Sequence, residues 1–178
     1  MRSVRTWILI SFLAVGLFVA QVALASIPNV ELVSLLFILI SLFLPLTATL
    51  LVSFIFTILQ MMIWGMGDWV LGYFWIWPVW VFIIYAFKPL NKSHVERWAV
   101  LSGLWGFLFG ALFALHHGVL YGFNTMIAYY IQGISFDIIH AVSNYIITSL
   151  AFTPLSVVVC KLASKYQGEK YESHDKNR

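Results

Sequence analysis

Long apolar runs separated by short polar breaks make up nearly the whole chain. A membrane-crossing helix needs about 20 such residues at 1.5 Å each, and six runs approach or reach that length. Residues 7–25 form the first; Pro28 and Asn29 interrupt it, and 30–44 form a shorter second run that ends at Pro45. The third covers 47–66, where Gly65, Met66, Gly67 and Asp68 turn the chain into the fourth, 69–87. Pro78 predicts a kink in that fourth helix, because proline removes one backbone donor and crowds the preceding turn. The polar connector 88–97 is the sharpest break, and 98–116 follow as the fifth run. Residues 117–132 read as a longer, wetter link, and a last helix is predicted over 134–161, bent or divided at Pro154.

The last helix carries the most informative pattern. At about 100° per residue, Asp137, His140, Asn144 and Thr148 fall on one narrow stripe, with Ile139, Val142, Ile146 and Leu150 opposite. One face thus suits lipid and the other a polar interior. Ionisable groups inside a membrane are costly, face the bundle interior or water, and mark functional paths. The fifth run has Ser102, Gly106, Gly110 and Ala114 at four-residue spacing, a row that lets two helix backbones approach closely. Its simplest use is packing within this bundle. Gly16 and Ala20 form a shorter row in the first run.

Composition bears this out: 62% of the 178 residues are hydrophobic and 10% charged, against about a quarter charged in a soluble domain. The fold class is therefore all-α, an integral membrane bundle of six transmembrane helices in one domain, 1–178. Residues 1–165 form the bundle and 166–178 a polar cytoplasmic tail. The net charge of +3 comes from short flanks and the tail, which read as topology signals rather than a nucleic-acid groove. With a cytoplasmic N-terminus, all 10 Lys and Arg lie inside, while Glu31, Asp68 and Asp137 lie at the mouths of the outer loops. Ala23-Leu24-Ala25 before Ser26 is like a signal-peptidase site. The preceding apolar run is longer than a usual signal core, though, and the charge partition works with it uncut.

Enzyme chemistry finds little foothold. The lone Cys160 excludes an intrachain disulfide or a multi-cysteine metal site. His116, His117 and His140 lack metal-ligand spacing, no serine sits in a nucleophile motif, and no Walker A sequence is present. The reading is a non-enzyme with no cofactor and no metal. The outer ends are instead rich in aromatic and polar groups. Trp69, Tyr73, Trp75 and Trp77 stand on the fourth helix, and His117, Tyr121, Tyr129, Tyr130 and Gln132 on the last link. Singly these fit an interfacial belt; with Asp137, His140 and Asn144 they supply flat walls and fixed polar groups for a small molecule.

Three stretches carry a family resemblance: Ile27-Pro28-Asn29-Val30-Glu31-Leu32-Val33, Trp75-Ile76-Trp77-Pro78, and residues 130–144 from Tyr130 to Asn144. Together with length and span count, they resemble the substrate-binding S components of energy-coupling factor (ECF) vitamin transporters. The resemblance implies a multi-pass protein of a bacterial plasma membrane that captures a vitamin or precursor from outside. It further implies docking on a transmembrane coupling subunit driven by two cytoplasmic ATPases, with toppling in the bilayer to release cargo. The implied pocket lies between the last three spans under the outer loops, which selects Asn29, Asp68, Trp75, His117, Gln132, Asp137, His140 and Asn144. The family often docks through an AxxxA motif in its first helix; here Gly16 and Ala20 stand in that place. A structural membrane protein of the MreD type, with no small-molecule substrate, is the alternative that size and span count allow.

Overall fold

The computed structural model describes residues 4–91 and 94–167. Every regular element among them is an α-helix: α1 (Val4–Leu24), α2 (Val33–Phe43), α3 (Leu46–Trp64), α4 (Asp68–Asn91), α5 (Val95–Tyr121) and α6 (Phe123–Gln167). Of these, α1, α3, α4, α5 and the Phe123–Ser164 part of α6 are long and apolar enough to cross a membrane. The bundle is apolar outside and partly polar inside. Phe12, Phe82, Leu104 and Leu150 are exposed, while Ser34, Thr49, Thr57 and Thr148 are buried. A soluble bundle has the opposite arrangement, so the chain is a helical membrane protein. The polar tail from residue 168 onward lies outside the described residues.

Helix ends follow local chemistry. Pro45 caps α3 with extended backbone, and glycines in left-handed or mirror-extended conformations terminate α3 at Gly65 and α5 at Gly122. The second helix is shorter than its apolar run. Its 11 residues span about 16 Å, roughly half the hydrocarbon thickness. Phe37, Ile38, Leu39 and Ile40 are all sealed, making α2 a core helix wrapped by the longer ones.

The link predicted over 117–132 is not a loop. α5 runs on to Tyr121, Gly122 alone makes the turn, and α6 starts at Phe123. Polar side chains of this stretch bond to carbonyls one turn back: His117 Nδ1 meets the Phe113 carbonyl within α5 at 2.8 Å, and Thr125 of α6 donates across the turn to the Tyr121 carbonyl of α5 at 3.2 Å. α6 is consequently 45 residues long, about 67 Å. It continues without a break through Pro154, as α4 does through Pro78 and Pro89. Its last turns extend past the start of α5 and bury Phe152, Val159 and Ala163 in the core shared with α1 and α2.

The most extensive interface joins α5 to α6, and the small-residue row builds it. A Cβ on Gly106 would fall 2.8 Å from the His140 carbonyl oxygen, and one on Gly103 3.2 Å from that of Ala141. At Gly110 it would overlap the Asp137 carboxylate. At one end of the bundle Lys88 Nζ donates to the Ser41 carbonyl at 2.7 Å, Tyr85 donates to that of Leu44, and Arg97 donates to that of Leu90 at 2.8 Å. The other end holds Glu31, Asp68, Asp137, His116, His117 and His140.

Candidate functional site

The stripe on α6 turns inward. Asp137, His140, Asn144 and Thr148 are each 6% exposed or less, whereas Ile139, Val142, Ile146 and Leu150 are each at least 47% exposed. The connection between α1 and α2 packs against this stripe. Asn29 takes a positive φ of 58°, which asparagine tolerates better than most residues. Its carbonyl accepts a hydrogen bond from Ser143 Oγ at 2.6 Å. The turn sends Glu31 into the interior.

Glu31 is the centre of the resulting network. One carboxylate oxygen accepts from the Ser34 backbone N–H at 2.8 Å, satisfying a free donor in the first turn of α2. The other meets His140 Nε2 at 3.3 Å. Asn144 Nδ2 donates to Ser34 Oγ at 3.3 Å, and Trp80 Nε1 to the Ser34 carbonyl at 3.2 Å. Burial by itself would raise the Glu31 carboxyl, but the hydrogen bond and charge of His140, together with the Ser34 bonds, hold it below its ordinary value. One turn back along α6, Asp137 accepts from the Gly110 N–H at 3.1 Å.

A cavity of about 170 Å³ lies beside the Glu31–His140 pair. The α1 end and the connection supply Gln21, Leu24 and residues up to Glu31; the helical wall is Tyr73, Trp77, Phe109 and His140. Those four rings form one mutually packed set. Centroids are 5.6 Å apart for Tyr73–Trp77, 5.4 Å for Trp77–Phe109 and 5.3 Å for Phe109–His140.

A second polar cluster ties the adjoining ends of α4 and α5 together. Asp68 Oδ2 accepts from Tyr121 at 3.2 Å and lies 3.4 Å from His117 Nε2, while His116 Nε2 meets the Asp68 carbonyl at 3.0 Å. Trp75 Nε1 donates to His116 Nδ1 at 3.4 Å, and Tyr129 stacks on His117 with ring centres 4.3 Å apart.

The eight residues selected from the sequence therefore divide. Asn29 and His140 line the cavity. Asp137 and Asn144 share the buried stripe but hold neighbouring backbone and side chains instead of lining it. Asp68, Trp75 and His117 belong to the second cluster, and Gln132 is exposed on α6. Of the docking pair, Gly16 is exposed with open space around it and Ala20 is half-buried. Glu31, Tyr73, Trp77 and Phe109 are site residues that the selection missed. Glu31 had a readable signal: an acid three residues before Ser34, at the mouth of an apolar run. Tyr73 and Trp77 stand among the aromatics read from the sequence as flat walls, although neither is in the selection; Phe109 had no signal, since it looks like any other aromatic in a membrane helix.

Comparison with protein-family models, curated proteins and solved structures gives no match.

Proposed function

We propose that this chain is the substrate-capture (S) subunit of an ECF-type importer in a bacterial plasma membrane. It takes up a vitamin or related heterocycle at the Glu31–His140 cavity and delivers it through a coupling subunit powered by two ATPases. One observation carries the reading: the α1–α2 connection sits across a cavity whose wall is a carboxylate, an imidazole and three aromatic side chains from α4 and α5. Such convergence of a few polar groups on apolar walls is what small-molecule recognition requires. With every Lys and Arg on the inner side, the acidic end faces outward. The chain has no nucleotide-binding motif, so the free energy for transport comes from partners. A cavity of about 170 Å³ is below the roughly 300 Å³ at which drug-sized sites begin. It fits a single ring with short substituents and not a corrinoid.

The test is a thermal-shift panel of vitamins and precursors on the detergent-purified chain, followed by uptake in cells. A ligand-dependent rise in Tm, lost in His140→Ala, supports capture. No stabilisation by any compound, together with recovery of cell-wall elongation proteins rather than ATPases in pull-down, would sink it.

A further inference from the structure

The charge around the cavity limits what it can hold. Its one acidic wall residue is Glu31, whose oxygens are fixed by the Ser34 N–H and by His140 Nε2. Among the described residues no lysine or arginine lines it. Counting along each helix from the wall residue to the nearest basic one gives Lys88 at about 16 Å from Trp77 and Arg97 at about 18 Å from Phe109. By the same measure Arg5 is about 24 Å from Gln21 and Lys161 about 31 Å from His140. All four sit toward the other end of the bundle. Asp137, on the same buried stripe one turn from His140, adds a second carboxylate to this region.

The wall from α4 and α5 is aromatic. Tyr73, Trp77 and Phe109 line that side of the void, opposite Gln21, Asn29 and the apolar residues of the α1 end, and their π-systems are electron-rich. Aromatic rings lining a small space beside a buried carboxylate attract a cation twice, through the ring quadrupoles and through Coulomb attraction. An anion entering the same space meets the Glu31 carboxylate, while the one imidazole in the wall, His140, is already engaged by Glu31 at 3.3 Å. A neutral ring gains only the apolar contact.

We infer that the site selects a small organic cation bearing a single ring, such as a pyridinium or a ring with a protonated amine, and rejects anionic nutrients. This rests on the capture reading above and narrows its substrate class. Glu31 is the residue that sets the selectivity, and Tyr73, Trp77 and Phe109 form the cage.

Two matched sets of probes test it by calorimetry on the full chain in detergent. One set is N-methylnicotinamidium, nicotinamide and nicotinate; the other is benzylammonium, benzyl alcohol and benzoate. Within each, shape is nearly constant and charge runs from positive to negative. The cation should bind about tenfold or more tighter than its neutral analogue, the size of a desolvated cation–π contact, and the anion should not bind. Glu31→Gln should weaken the cation by several-fold and leave the neutral analogue's affinity unchanged, narrowing their ratio to what the rings alone supply. Should that variant not fold, the wild-type comparison alone decides. Anion binding as tight as cation binding, equal cation and neutral affinities, or no cation binding in either set overturns the inference. An anionic micronutrient that stabilises the protein in the vitamin panel overturns it too, yet leaves the capture reading standing. Silence in both experiments removes both.

Discussion

Glu31 does two jobs that pull its protonation in one direction. It caps the first turn of α2 through Ser34 and pairs with His140; both favour the carboxylate over the acid and outweigh burial. A carboxyl held below its unfolded value of 4.5 adds stability above that pH and loses it as pH falls through the folded value. The Tm of the wild type should therefore exceed that of Glu31→Gln at about pH 5, a charged hydrogen bond contributing roughly 1.5–3 kcal/mol. The margin should shrink as the pH drops below 4.5. A margin unchanged down to pH about 3 would mean that the carboxyl is not depressed. Asp137 presents a steric counterpart. Because a Cβ on Gly110 would overlap its carboxylate, Gly110→Ala should destabilise by about 1–3 kcal/mol. Adding Asp137→Ala should recover part of that loss, since the obstacle is a side chain. Equal Tm values for the single and double variants would remove Asp137 as the cause.

Between elements, the α5–α6 contact decides where His140 stands. At Gly106 the obstacle to an added methyl is the backbone of His140 itself, 2.8 Å from the carbonyl oxygen, and backbone cannot rotate away. Gly106→Ala should push the helices apart, cost about 1–3 kcal/mol and weaken ligand binding by displacing a cavity wall. Gly103→Ala, at 3.2 Å, should cost less. Paired thermal melts and binding curves check the order; a harmless Gly106→Ala would break the link between this interface and the site. This packing row and the inward stripe on α6 were both legible in the sequence, because each depends on spacing along one helix. The hairpin at Gly122 was not. His117 and Thr125 look like loop residues until their bonds to carbonyls one turn back are seen. The aromatic cage was hidden for another reason: Tyr73, Trp77 and Phe109 come from two helices, and nothing in either helix alone distinguishes a cavity wall from an interfacial belt. Glu31 was visible as a polar residue at a helix mouth, but its pairing with His140 joins positions 109 apart in the chain.

For the whole molecule, the outward face of α1 separates packing from association. Leu9, Ile10, Leu13 and Leu17 face the core, while Phe12, Val15 and Val19 are exposed. Gly16 stands among them with no atom within 4 Å of an added Cβ. It borders a shallow apolar groove of about 200 Å³ formed with Leu36 and Ile40 of α2 and Leu155 and Val159 of α6. Nothing inside this chain needs a glycine there. Gly16→Ala should leave stability unchanged or slightly raised, since alanine is the better helix former by about 1 kcal/mol. Gly16→Leu should likewise leave the stability within about 0.5 kcal/mol of wild type and spare ligand binding, because the cavity lies beyond Gln21 at the end of the same helix. If α1 docks on a coupling subunit through this small residue, a leucine there holds the two helices apart by the width of its side chain, and close backbone approach is lost. Uptake in cells should then fall at least tenfold while the purified variant still binds its substrate, and the coupling subunit should no longer co-purify. Undiminished uptake by Gly16→Leu would show that the docking face lies elsewhere on the bundle, without touching the reading of the cavity.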